Sequence, residues 1–298
     1  MVNNAKRLYL PYLLAPLAAG ILAAVLRTVA LLTEYDAAIG FYSAPAFSIT
    51  VAAIAVLTTL TLAAFTYEKR ASFTFSPDYR DLPSLASGVF LAVVLVFFGV
   101  TLLLDSFNRP LFILILSALL AACAVAGAFV FVLRGFDGTA AGSARAMLTL
   151  PIATFAVLFA LYLSFEETMM LNAPPKLLGI ATWSSVAFFF LGETRIALER
   201  AKWPLHTFIT AVTLVLTLTA SLPNLIYYLA SGEPLLGNTA HDFAALGVFL
   251  YALARITAAF RLAIKKAAPA TRFVSNGYEA AEPTECNEET ANEEATDR

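Results

Sequence analysis

The chain has little of what soluble enzymes and secreted domains are built from. Only 13% of its 298 residues are charged, and it contains two cysteines, two histidines and two tryptophans. Cys123 lies in an apolar run and Cys286 near the C-terminal end, so neither a disulfide framework nor a thiolate metal site is expected. Two histidines, His206 and His241, leave little material for acid–base chemistry near neutral pH. P-loops, nucleophile elbows and paired Asp-rich motifs for prenyl diphosphates are absent from the sequence. The reading leans away from an enzyme and expects no cofactor, no metal and no nucleic-acid partner.

What is abundant is apolar. Hydrophobic residues make up 60% of the chain and mean hydropathy is +0.78, whereas a soluble domain carries roughly 45 to 50% apolar residues and about 25% charged ones. About 20 mostly apolar residues span a bilayer as a helix. The sequence offers eight such stretches, at 9–32, 44–66, 85–105, 110–133, 146–168, 177–199, 205–230 and 241–264. The expected fold is an all-α polytopic transmembrane bundle with short loops, its partner the lipid bilayer. Breakers such as Pro45, Pro83, Pro110 and Pro174–Pro175 punctuate the ends, while Pro11, Pro16, Pro151 and Pro223 fall inside apolar runs, where membrane helices tolerate them. The first run continues from Leu8 to Leu26 before a charge, longer than the roughly 7 to 15 residues of a signal-peptide core. It reads as an uncleaved helix.

Basic residues alternate with these stretches. With the N-terminus placed inside, fifteen lysines and arginines fall on cytoplasmic segments, and only Arg109 and Lys176 on outer loops. Such a bias sets orientation: both termini are expected in the cytoplasm and the chain in the cell membrane. Residues 1–268 hold 17 bases and 13 acids, whereas 269–298 hold 8 acids and 2 bases. That tail has almost no large apolar residues and is expected to be disordered. It either contacts another membrane or cytoplasmic protein or solvates the terminus. No internal repeat is visible.

Ionisable groups inside a membrane mark functional or pairing sites. Glu193 precedes Arg200 by seven residues and Arg255 precedes Lys265 by ten, which places them roughly 10 and 15 Å from the same end at about 1.5 Å per residue. They are expected to meet, either as a gate or protonation sensor or as a structural ion pair. A second group, Arg27, Asp105, Glu166 and Glu167, collects near the outer surface as a vestibule or as hydrated helix ends. On the seventh stretch Thr207, Thr210, Thr213, Thr217, Ser221 and Asn224 advance by three or four residues, with His206 and Tyr228 continuing the line. Such a stripe lines a hydrated path or packs on a neighbouring helix. Pro223 frees backbone carbonyls near the outer end, a place for a ligand or ion.

Glu166–Glu167 followed by His206 and His241 resembles the pattern of the intramembrane metalloprotease family associated with CAAX processing, but Leu171 stands where that family has arginine and Ala245 where asparagine is expected. Depth separates the residues too, since metal ligands must lie about 2 Å from one ion. In general character the chain resembles multi-pass membrane proteins of bacteria, a resemblance that assigns no residue roles. Two functions follow: a non-enzymatic accessory, sensory or regulatory module, or a carrier of a small polar solute or ion. An intramembrane enzyme is a distant third.

Overall fold

The computed structural model describes residues 2–37, 39–44, 46–69, 82–137, 143–165, 170, 172–198, 200, 202–235 and 238–267. Glu166, Glu167 and the acidic tail lie outside the described residues. Eight helices carry almost all of the described chain: α1 Val2–Thr33, α2 Ala46–Lys69, α3 Leu82–Asp105, α4 Leu111–Asp137, α5 Ser143–Phe165, α6 Pro174–Ala197, α7 Trp203–Ser231 and α8 Ala240–Ala267. Seven of them are long and apolar enough to cross a membrane, while the apolar stretch of α5, Thr149–Phe165, is shorter. The molecule is a helical membrane bundle.

Helices are the form these apolar runs must take, because lipid offers no partner for an exposed N–H or C=O and a helix satisfies both within one segment. Threonines inside the runs comply by bonding their hydroxyls to the carbonyl one turn back, as Thr28 does to Ala24 (2.8 Å) and Thr59 to Ala55 (2.8 Å). The helices continue through Pro11, Pro16, Pro151 and Pro223. Prolines also open elements: Pro174 and Pro175 begin α6, where a missing N–H costs nothing.

A small departure from the all-α expectation follows α1. Strands β1 (Tyr35–Asp36) and β2 (Phe41–Tyr42) pair antiparallel. Tyr35 packs edge-on against Tyr42 and against Tyr227 of α7, with ring centroids 5.5 and 5.8 Å apart. Amphipathic rings of this kind suit the border of a bilayer.

Contacts between helix ends reveal an antiparallel order. Near one end Tyr12 of α1 bonds Thr66 of α2, and Thr149 of α5 meets Thr194 of α6 at 2.6 Å. Near the other, Ser106 just beyond α3 meets Ser117 of α4 at 2.6 Å. Helices α3 and α4 approach closely at Gly99, where a Cβ would lie 3.0 Å from Ala124 Cβ and 3.1 Å from Ala121 Cα. Small residues at such crossings bring backbones together.

Helices α7 and α8 form the middle of the bundle, packing on each other and on α1, with α6 against α7 and α3 against α8. Burial follows position: 67% of the most apolar window of α7 is buried but only 17% of that of α2. Val56, Leu57 and Leu60 of α2 are accordingly exposed, the state expected of a face turned to lipid. The core is aromatic, with Trp183 of α6 against Phe98, Phe155 and Phe159 at 6.2, 5.6 and 5.0 Å between centroids.

Candidate functional site in two buried polar networks

Two polar networks lie in the bundle, one near each end, and both are built on α7 and α8. The first centres on Glu193 of α6, whose side chain is fully buried. Its Oε1 accepts from Arg255 Nε at 3.1 Å and lies 3.1 Å from His206 Nε2, and Tyr251 donates to Oε2 at 3.5 Å. Tyr251 and Arg255 sit one turn apart on α8 and so share a face. Helices α6 and α8 thus turn Glu193 and Arg255 toward each other.

Neighbouring rings hold this cluster in place. The His206 imidazole stacks on Phe189 at 5.7 Å with the planes 18° apart, and Tyr251 stacks on Phe190 at 6.1 Å. Gly192 makes room for the imidazole, because a Cβ there would lie 2.3 Å from His206 Nδ1. That nitrogen is buried and has no hydrogen-bond partner among the described residues. A cavity of about 20 Å³, lined by His206, Thr207, Thr210 and Arg255 among others, is large enough for about one water.

The second network explains Arg27, and Pro223 is its cause. Proline has no N–H to give the carbonyl four residues earlier, which leaves Thr219 O without its helical donor. Arg27 Nη1 donates to Thr219 O at 2.9 Å and to Ala220 O at 2.8 Å, and Nη2 donates to Asn224 Oδ1 at 2.7 Å. Asn224 passes the chain on, donating through Nδ2 to Asp242 Oδ1 at 2.7 Å. His241 Nε2 lies 3.2 Å from the same oxygen. The carbonyls expected to await an ion or ligand are taken by Arg27 instead.

Asp105, grouped with Arg27 in the sequence, does not share these contacts. Asp105 accepts from Asn238 Nδ2 at 2.8 Å at an exposed position. Arg27 is only 3% exposed, far from the hydrated helix end that was one expectation. Lys176, counted among loop bases, is buried in the first turn of α6. The residues absent from the sequence reading of this network are Asp242 and His241. Their only signal was an acid beside a histidine at the edge of an apolar run, which resembles any interfacial helix start.

The stripe on α7 is a packed face along most of its length. His206, Thr207, Thr210, Thr213, Thr217, Ser221 and Asn224 are all buried, whereas Tyr228 is exposed. The hydroxyls of Thr207, Thr210, Thr217 and Ser221 bond carbonyls one turn back at 2.6 to 2.9 Å. Thr213 crosses to Ser185 O on α6 at 3.2 Å. Its two ends are drawn into different networks, His206 with Glu193 and Asn224 with Arg27.

Near the second network the surface opens. A cavity of about 440 Å³ is lined by Asp105, Asn108, Arg109, Tyr162, Asn238 and His241, with Phe98 and Phe159 among its apolar walls. The His241 ring lies 6.3 and 6.0 Å from these two phenylalanines. His206 and Asn224 are eighteen residues apart on α7, so the two histidines lie roughly 27 Å apart along the axis at about 1.5 Å per residue. They do not share a site, and among the described residues no group of three His, Cys, Asp or Glu could hold a metal ion. No protein-family model matches the chain, and neither a curated protein nor a solved structure matches it.

Proposed function

We propose that this chain is a non-enzymatic sensory or regulatory module of the cell membrane, working through partner proteins. All eight helices cross the bilayer in this reading and both termini lie in the cytoplasm. The observation that carries it is the packed state of the α7 stripe: buried hydroxyls already bonded to carbonyls support a rigid helix contact rather than a hydrated path. The two charge networks then hold α7 and α8 in one arrangement, and a stimulus at either end acts by shifting it. Output passes to a basic protein partner through the acidic residues beyond position 269 and requires no nucleic acid.

A pull-down with and without residues 270–298 tests this reading. Loss of a specific partner on deletion is expected, and a partner-free chain indifferent to the tail would overturn it. Orientation is read from Cys286, which a membrane-impermeant thiol reagent labels only after permeabilisation if the tail is inside.

A carrier of a small polar solute or ion is the second reading, favoured by the 440 Å³ cavity with its polar lining. Proteoliposome flux decides between them. A flux reduced by Glu193→Gln and by Thr217→Val supports the carrier, and flux unchanged by both removes this pathway.

A further inference from the structure

At the Glu193 end a groove of about 230 Å³ opens between α6 and α7. Each helix contributes residues at the same spacing. On α6 these are Phe188, Leu191, Gly192 and Arg195, and on the other side Lys202, which caps the start of α7, with Leu205, His206 and Ile209 of α7. Offsets of three, four and seven residues from the first put each set on one side. Because α6 ends where α7 begins, the two cations lie together at the mouth, and Phe188 and Ile209 lie deeper along the helices.

Three properties of this groove point to an amphiphile. Phe188, Leu191 and Leu205 are 60, 40 and 43% exposed, so its wall faces the surroundings of the bundle, which for a membrane helix are acyl chains. The mouth is cationic: the stretch from Arg195 to Lys202 holds three bases against Glu199, which lies outside the described residues. The floor carries an unanswered polar atom, His206 Nδ1, packed against Gly192 where both residues line the groove. Orientation by positive charge accounts for bases on inner loops. It explains neither a formed groove nor a buried nitrogen without a partner.

We propose that this groove binds one molecule of an anionic glycerophospholipid whose headgroup carries a hydroxyl. The phosphate sits between the Arg195 and Lys202 side chains, as basic pockets between membrane helices hold lipid phosphates. The acyl chains continue along Phe188, Leu191 and Leu205. His206 Nδ1 accepts from the headgroup hydroxyl when the imidazole is neutral, or donates to a phosphate oxygen when it is protonated. Nε2 of the same ring lies 3.1 Å from Glu193, so the bound lipid touches the charge network that joins α6, α7 and α8. The site depends on the chain lying in a membrane and not on the identity of any protein partner.

The test uses the full chain in detergent, with phosphatidylglycerol or phosphatidylcholine added and retained lipid read by native mass spectrometry. Phosphatidylglycerol is expected to bind as one retained copy and phosphatidylcholine to be lost. The double variant Arg195→Ala/Lys202→Ala is expected to weaken retention about tenfold or more. Removing the same charge elsewhere at that end, by Lys69→Ala/Arg261→Ala, is expected to change it less than about twofold by the same reckoning. Equal loss in the two double variants, or equal retention of the two lipids, overturns the proposal. Arg195, Lys202 and Arg261 are exposed and Lys69 is half-buried, so each variant retains the bundle, which a thermal melt checks. Deletion of residues 270–298 leaves retention unchanged, which separates failure of this site from failure of the partner reading.

Discussion

Replacing Glu193 with alanine removes the acceptor at the centre of the first network and leaves Arg255 buried at 3% exposure. With N···O contacts of 3.1 Å and an effective dielectric constant of about 20, the gross attraction for a charged pair is about 5 kcal/mol. Desolvation offsets much of this, but removing one partner strands the other, and for buried pairs the loss is about 3 to 5 kcal/mol. A bundle unfolded within detergent finds substitute hydrogen bonds, which argues for the lower end, about 3 kcal/mol. Replacing both partners, Glu193→Met with Arg255→Met, is expected to recover at least half of that loss because no charge is then stranded. Equilibrium unfolding in mixed micelles on titration with SDS, followed by far-ultraviolet circular dichroism, measures each variant. A cost under about 1 kcal/mol for Glu193→Ala, or a double variant no better than the single one, would refute the reasoning built on a buried, desolvated pair.

Three further outcomes are expected. Asn224→Leu cuts the link between Arg27 and Asp242, leaving Arg27 its two carbonyls and Asp242 its contact with His241, at a cost of about 1 to 3 kcal/mol in the same unfolding titration. A neutral result would mean the second network is solvated. Gly192→Ala puts a Cβ where His206 Nδ1 now lies, forcing the imidazole off Glu193 at about 1 to 3 kcal/mol, and a shifted His206 ring resonance in NMR would report the displacement. Tyr35, outside the spanning segments, has its hydroxyl pushed from 10.0 up to about 12, first by burial and then by Tyr227 and Tyr42. The stability it contributes is therefore fully present below pH 10 and lost as pH rises toward 12. Ultraviolet titration of Tyr35→Phe should lose one late-ionising phenolate relative to the parent chain, and a Tyr35 ionising with the exposed tyrosines would contradict the packing of the hairpin.

The legibility of the networks differed by residue. Glu193 and Arg255 stood out because each is an isolated charge in an apolar run and their distances from a common end are countable. Arg27 stood out too, but counting depth grouped it with acids of similar level, and of these Asp105 bonds Asn238 while Arg27 bonds two carbonyls and an amide. Depth is one coordinate, and azimuth around the bundle depends on which helices pack together. Helix α1 packs on α7, far away in sequence, and no local pattern carries that pairing.

What the amino-acid order determines by itself is the helical membrane class and the approximate bounds of eight helices. Apolar runs interrupted by turn residues have few alternatives in a solvent that cannot satisfy a bare backbone. The tertiary structure decides the rest: that the α7 stripe is buried rather than open, that Arg27 answers the carbonyl left by Pro223, and that His206 and His241 belong to separate clusters. Side-chain partners are chosen by packing between helices distant in sequence, where gaps of a few ångströms separate a hydrogen bond from a stranded charge. Periodicity along one helix contains no record of those gaps.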